Sequence, residues 1–183
     1  DIAYVYAAHD ASILWHFLSP HYNQRTDEYG GSFENRLRLF REVLEATREE
    51  AGNDMAVAVR FAVHEVSGKR KILNSGEGRA VSEALAELPD LWDVNISGWS
   101  RDSGTSRYDA EGFQEEFTSF VKQVTGKPVL GVGRFTSPDA MVSQIRRGIL
   151  DLIGAARPSI ADPFLPRKIR EGRVEDIREC IGC

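Results

Sequence analysis

Five short apolar runs, rich in β-branched residues, recur along the chain, and each is followed by a charged or polar position. They cover 2–6, 56–60, 91–96, 128–133 and 150–154. Near-continuous apolar runs that alternate with helical stretches are typical of parallel strands buried on both faces. The pattern predicts an α/β fold with one parallel sheet. In a (β/α) barrel, the residues just past such strands line the active face.

The stretches between the runs have helical periodicity. In the clearest one, over 32–51, Ser32 can cap the start, leucines and a valine form an apolar stripe, and Gly52 ends the helix. Further helices are predicted over 78–88, 110–124, 137–147 and 163–170, with a loop over 67–76. Such alternation implies right-handed crossovers within one sheet.

Length and charge narrow the class of protein. A complete barrel needs about 250 residues and eight strands, whereas this chain has 183 residues, so we expect part of a larger protein. A net charge of -5 without a basic tract argues against a nucleic acid partner. The sequence contains no apolar stretch of membrane-spanning length, no signal peptide and no disulfide framework. These features predict a cytoplasmic protein that does not bind membranes.

Polar side chains follow the first two strands. Tyr6 and His9 lie three residues apart beyond the first run, where a phenol and an imidazole can face a ligand as acid, base or hydrogen-bond partners, or can bond loop backbone groups. Arg60 ends the second run, so its guanidinium is expected at the active face. There it would meet either an anionic ligand or a carboxylate from a neighbouring strand.

A glycine-bounded loop follows the third run and contains Trp99, Arg101 and Asp102. Trp99 can present its ring to a cationic amine. Asp102 can orient a histidine or meet the amine itself. A surface turn with one packed indole is the alternative.

The fourth and fifth runs end in small residues, and an arginine follows each of them. The sequences are Gly131-Val-Gly133-Arg134 and Gly154-Ala-Ala156-Arg157. Loops after the last two strands of a barrel often bind phosphate, glycines allow close backbone approach, and arginines supply bidentate charge. We therefore favour phosphate binding over the alternative, close packing of strand on helix with solvated arginines.

The chain ends in Cys180-Ile-Gly-Cys183. Two cysteines at this spacing are consistent with a thiol pair, half a zinc site or the start of an iron-sulfur motif. By themselves they cannot complete a site with four ligands.

Taken together, these motifs resemble the old yellow enzyme superfamily of FMN-dependent TIM-barrel oxidoreductases. More narrowly, they resemble its branch of trimethylamine dehydrogenase, dimethylamine dehydrogenase and N-methyl amino acid demethylases. The resemblance covers the whole chain and rests on 4–9, 17–20, 23–31, 34–36, 129–134 and 156–166. It implies that the five strands are β4 to β8 of a TIM (β/α)8 barrel over 1–176, followed over 177–183 by the start of a motif for a four-iron four-sulfur cluster.

The resemblance also implies roles for single residues. Arg60 would lie near the pyrimidine side of the flavin ring, and the FMN phosphate would be held by Gly133, Arg134, Ala156 and Arg157. Tyr6, His9 and Asp102 would form the catalytic polar group, with Trp99 as a wall of the amine cage. Arg101, by contrast, departs from trimethylamine dehydrogenase, which has an acidic residue in this loop; its local position predicts that it binds a substrate carboxylate, and the alternative is that it only pairs with Asp102 or faces water. Cys180 and Cys183 would be two of the four cluster ligands.

The function implied is that of a flavin-dependent amine dehydrogenase or N-demethylase, with a small methylated amine as substrate and an electron-transfer protein as acceptor. One alternative is an NADPH-dependent enoate or dienoyl-CoA reductase. Ala11 argues against it: both the alkene reductases and trimethylamine dehydrogenase have a tyrosine at this position, and in the alkene reductases that tyrosine protonates the substrate carbon. The other is an inactive fragment that associates with itself. Because half of the flavin pocket would be missing, we expect the isolated chain to be inactive, to bind FMN weakly and to form homo-oligomers.

Overall fold

A computed structural model describes residues 1–9, 12–66, 75–98 and 109–181. Its centre is a five-stranded parallel sheet in which the strands are neighbours in chain order. The strands are β1 (Ile2–Ala7), β2 (Ala56–Glu65), β3 (Leu91–Ser97), β4 (Val129–Gly131) and β5 (Leu152–Ile153). The predicted α/β class and the single parallel sheet are thus confirmed.

Helices connect the strands in the described part of the chain. They are α1 (Ile13–Leu18), α2 (Phe33–Ala51), α3 (Ser75–Ala84), α4 (Glu115–Thr118), α5 (Phe120–Thr125), α6 (Pro138–Arg146), α7 (Ala156–Ala161) and α8 (Leu165–Arg170), with a 3-10 turn at Val174–Asp176. The α2 prediction is confirmed: the Ser32 hydroxyl accepts a hydrogen bond from the Asn35 amide, and Gly52 ends the helix with φ 57°. None of these helices is long and apolar enough to cross a membrane.

Several predicted boundaries were wrong. The single helix predicted over 110–124 is two short helices, α4 and α5, and the sequence analysis missed α1 and α7 altogether. The strand predicted to end at Arg60 continues to Glu65, so Arg60 lies in the middle of β2. By contrast, β4 and β5 are three and two residues long. The reason is that pairing with a neighbour, and not local apolarity, sets where a strand ends.

The core lies between the sheet and α2. On the helix, Leu37, Phe40 and Leu44 are fully buried, and Phe40 packs on Phe61 of β2 at 5.8 Å between ring centroids. The indole nitrogen of Trp15 donates to the Ala62 carbonyl at 3.0 Å, which ties α1 to β2. Helices α1 and α2 thereby hold β2, the strand that contains Arg60, in place.

Two aspartates hold the amino ends of neighbouring strands together through the same two contacts, a backbone hydrogen bond and an ion pair. Asp90, just before β3, accepts a hydrogen bond from the Val57 amide at 2.8 Å and pairs with Arg48 of α2. Asp151, just before β5, accepts from the Val129 amide at 2.9 Å and pairs with Lys122 of α5. Each carboxylate therefore joins two neighbouring strands and the helix that precedes the first of them.

Both edges of the sheet are open in the described chain. On β1, Ile2, Tyr4 and Tyr6 are each about half exposed, and Leu152 on β5 is similarly exposed. Apolar residues on an unpaired strand are the expected contacts of a further strand or of another chain.

Candidate active site

A pocket of about 200 Å³ opens at the carboxyl ends of the strands. Its wall is formed by residues that lie on a strand or in the segment that follows one, and all five strands contribute: His9, Arg60, Asn95, Gln114, Val132, Gly133, Arg134, Phe135, Gly154, Ala155, Ala156, Arg157 and Pro158. This is the end of a parallel sheet at which α/β proteins bind ligands.

Arg60 and Asp93 form an ion pair beneath the pocket. They are register partners on β2 and β3, and the Arg60 Nη1 donates to Asp93 Oδ2 at 2.8 Å. Burial raises the pKa of Asp93, against the opposing effect of Arg60 and His9. Arg60 therefore lines the pocket and meets a carboxylate from a neighbouring strand, which is one of the two partners that its position predicted.

His9 is fixed from two sides. It adopts φ 59°, in the left-handed region that costs a residue with a Cβ, and such strain is typical of ligand sites. Tyr6 hydrogen bonds to its Nδ1, and the Asn95 amide nitrogen donates to its Nε2 at 3.1 Å. A neutral imidazole whose Nε2 accepts must carry its hydrogen on Nδ1. Asn95 thus selects the Nδ1-protonated form of His9.

The loop after β4 is held by the segment before α4. The Gly112 amide donates to the Gly133 carbonyl at 2.7 Å. The Glu111 carboxylate accepts hydrogen bonds from the backbone and hydroxyl groups of both Thr136 and Ser137. Burial acts to raise the pKa of Glu111, but these hydrogen bonds outweigh it and lower the pKa. These contacts hold the loop in a conformation that includes a left-handed Arg134 with φ 58°.

Arg134 and Arg157 provide the positive charge of the pocket wall. The Arg134 Nε is buried, and no described residue hydrogen bonds to it. A buried guanidinium nitrogen without an acceptor is costly, and an anion in the pocket would remove that cost. These two arginines, one from the loop after β4 and one from the first turn of α7, are a donor set that fits a phosphate.

The glycines of these loops are needed for packing within the chain. A Cβ on Gly133 would lie 3.0 Å from the Gly112 Cα, and one on Gly154 would lie 2.6 Å from the Val132 Cγ1. The packing interpretation of these glycines is therefore supported. The interpretation of phosphate binding depends on the arginines.

Of the residues that the sequence predicted, six line this one pocket: His9, Arg60, Gly133, Arg134, Ala156 and Arg157. Tyr6 is not part of the pocket wall but hydrogen bonds to His9, which is. Trp99, Arg101, Asp102 and Cys183, and also Ala11, lie outside the described residues. The buried Cys180 borders a separate small cavity, whose wall includes Arg134.

Sequence reasoning missed Asp93, Asn95 and Gln114. Asn95 and Gln114 line the pocket, and Gln114 accepts a hydrogen bond from the Ile96 amide of β3 at 3.1 Å. The sequence did contain a signal for Asp93 and Asn95, because a polar residue inside a buried strand needs a partner. Gln114 had none, since it lies in an ordinary amphipathic stretch.

The pocket fits part of a flavin mononucleotide. Its arginines match a phosphate, and its histidine, asparagine and glutamine match a polar ring. A four-iron cluster is different, because the described residues hold no group of three or more His, Cys, Asp or Glu side chains that could bind a metal.

This fold and pocket define an FMN-type oxidoreductase domain, and the chain belongs to the NADH:flavin oxidoreductase / NADH oxidase family, whose model matches residues 1–176. It is 46% identical to dimethylamine dehydrogenase of Hyphomicrobium sp. (strain x), over 100% of the chain and 25% of the relative. The structure of 6-hydroxypseudooxynicotine amine oxidase from Pseudomonas geniculata N1 is 63% identical with a TM-score of 0.96, and histamine dehydrogenase from Rhizobium sp. 4-9 is 53% identical with a TM-score of 0.93.

Both structures match 100% of this chain, which covers 27% and 26% of theirs. The chain thus spans about a quarter of the length of these relatives. The names of all three relatives describe the oxidation of an amine. These matches support the resemblance to the old yellow enzyme superfamily.

Proposed function

We propose that this chain is the phosphate-binding part of a flavin-dependent amine dehydrogenase or N-demethylase. The observation that carries the proposal is the convergence of Arg60, Arg134, Arg157 and His9 on one pocket at the carboxyl ends of the strands. The names of its relatives give the substrate class, because dimethylamine, histamine and 6-hydroxypseudooxynicotine all contain an amine. In this proposal the five strands correspond to β4 to β8 of a complete barrel.

Within the proposal, Arg134 and Arg157 bind the FMN phosphate, and Gly133 and Ala156 lie beside it. The unpartnered Arg134 Nε supports this assignment, since a phosphate oxygen is the acceptor that it lacks. Arg60 lies beside the pyrimidine side of the ring. Bound FMN supplies the acceptor for the hydride that leaves the carbon next to the amine nitrogen.

The chain's own residues prepare the substrate. His9, with Tyr6 and Asp102, forms the polar group beside the amine, and the lone pair of its Nε2 is held by the Asn95 amide. With its Nε2 engaged by Asn95 and its Nδ1 by Tyr6, His9 orients the Tyr6 hydroxyl beside the amine nitrogen. Trp99 forms a wall of the amine site by contact of its ring with the cation, and Arg101 binds a substrate carboxylate where there is one.

The ends of the chain carry two further proposals. Cys180 and Cys183 are two of four ligands of an iron-sulfur cluster whose other ligands come from outside this chain, and a separate protein accepts the electrons. The open edges of the sheet pair with further strands in the whole protein or, in the isolated chain, with a second copy.

The test is flavin binding by the whole protein. Arg157→Met should weaken FMN binding at least tenfold, about 1.4 kcal/mol, because a charge-assisted contact to phosphate is lost. Arg146→Met, an exposed arginine on α6, is the matched control and should bind FMN normally. Purified protein without a flavin spectrum would contradict the proposal. So would flavin that NADPH and an alkene turn over but that amines do not reduce.

A further inference from the structure

The charge of Arg60, which lines the pocket, is compensated by Asp93 beneath it. The two residues are aligned across neighbouring strands, and the ion pair measures 2.8 Å. The Asp93 side chain is 6% exposed, whereas Arg60 is 28% exposed and reaches the pocket. The carboxylate therefore lies behind the guanidinium as seen from a ligand.

The pocket is therefore electrically uneven. The buried Arg134 Nε has no hydrogen-bond partner among the described residues, so its charge is not offset by a hydrogen-bonded carboxylate as that of Arg60 is. The charge of Arg60 is largely offset by Asp93. A dianion belongs at the Arg134 end, while the Arg60 end suits a neutral group that accepts hydrogen bonds and gains only partial negative charge.

Stability does not account for the pair. Asp93 Oδ1 is buried, and no described group hydrogen bonds to it. Buried ion pairs can often be replaced by apolar residues without loss of stability. Burying a carboxylate with one oxygen unpaired costs free energy, and β2 and β3 are already held together by a ladder of backbone hydrogen bonds.

We propose that Asp93 is a positioning residue that holds the Arg60 guanidinium in the pocket and offsets its charge, and so lowers the reduction potential of a flavin bound there. This inference rests on the proposed function. Arg60 alone would favour the reduced, more negative flavin strongly. With Asp93 behind it, Arg60 still donates hydrogen bonds but favours electron gain less, and the reduced flavin passes electrons on more readily.

The experiment measures the flavin reduction potential in the whole protein. Asp93→Asn keeps a hydrogen-bond acceptor for Arg60 but removes the negative charge. It should shift the equilibrium between oxidised and reduced flavin about tenfold towards the reduced form, which is about 30 mV for two electrons. Asp90→Asn removes a similar aspartate paired with Arg48 at the far end of the sheet, and it should leave the potential unchanged.

A second pair of variants covers the case in which Asp93→Asn does not fold. Arg60→Gln should lower the potential, because the Asp93 charge remains. Arg60→Gln combined with Asp93→Asn should return the potential towards wild type, since the pair is removed as a unit.

A flavin-loaded Asp93→Asn protein with unchanged or lowered potential would overturn the role of Asp93. So would a double variant whose potential is as low as that of Arg60→Gln alone. Wild-type protein without bound flavin would instead refute the proposed function.

Discussion

The carboxylate of Asp90 accepts a hydrogen bond from the backbone amide of Val57 at 2.8 Å and joins the starts of two neighbouring strands. Asp151 repeats this contact with Val129 two strand pairs further along, between β4 and β5. Both aspartates lie at the amino ends of the strands, opposite the pocket. The register of the sheet is thus fixed by side chains that do not line the candidate active site.

Replacing Asp90 by alanine should destabilise the chain by about 1 kcal/mol, because the Val57 amide loses its side-chain acceptor. The loss is modest since the aspartate is almost half exposed and its ion pair with Arg48 is screened. Urea unfolding measures the change. Asp54→Ala, at an exposed turn, serves as the control and should be neutral. Equal losses in both variants would show that the contact with Val57 contributes nothing.

Replacing Glu111 by alanine should cost about 2 kcal/mol of stability, since the Thr136 and Ser137 amides lose one shared acceptor. Because the same loop contains Arg134, the affinity of the whole protein for FMN should fall as well. Glu175→Ala, an exposed glutamate of the 3-10 turn, should change neither quantity. Lost stability with unchanged FMN affinity would separate the loop from ligand binding.

The Asp162 carboxylate should stabilise the fold in a pH-dependent way. The Lys168 ammonium at 2.6 Å and the Arg178 amide at 2.9 Å lower its pKa to about 2. A lowered pKa stabilises the folded chain above the ordinary carboxyl pKa of 3.8, and the contribution is lost as the pH falls towards 2.

Unfolding of wild type and Asp162→Asn, compared from neutral to acidic pH, tests this dependence. The wild type should be more stable at neutral pH, and the difference should shrink as the solution becomes acidic. Asp139→Asn on the exposed side of α6 should give no such trend. A difference that stays constant with pH would contradict the assignment.

Replacing Gly78 by alanine should destabilise the chain, although alanine normally favours a helix by about 1 kcal/mol over glycine. A Cβ at this position of α3 would lie 1.9 Å from the Val63 carbonyl oxygen of β2, so the helix must move away from the sheet. Thermal unfolding should show a loss of about 1 to 3 kcal/mol, the usual range for overpacking. Gly76→Ala, exposed on the same helix, should be neutral or slightly stabilising.

The sequence predicted the sheet and α2 well, since both depend on local patterns. Continuous apolar runs identify buried strands, and Ser32 and Gly52 mark the ends of a helix whatever its surroundings. The end of β2 could not be predicted from such local patterns. Its residues beyond Arg60 are held by pairing with β3, where Ala62 faces Asn95, and a single run carries no information about its neighbour.

The candidate site was predictable where a residue type and a strand end coincide. Arg134 and Arg157 follow strands directly, and the structure brings both to one pocket. Asp93 and Asn95 were overlooked because they lie inside an apolar run, where a polar residue is easily counted as part of the strand. Their partners, Arg60 and His9, come from other strands, so only the folded sheet reveals the contacts.

Arg134 borders two cavities, the pocket at the strand ends and the small cavity beside Cys180. One guanidinium has one orientation at a time, so whatever orders it from one side restricts it on the other. By thermodynamic linkage, any effect that an occupant of one cavity has through this side chain on affinity at the other is returned by the same factor. Communication between the two cavities would then need no moving domain, only one arginine.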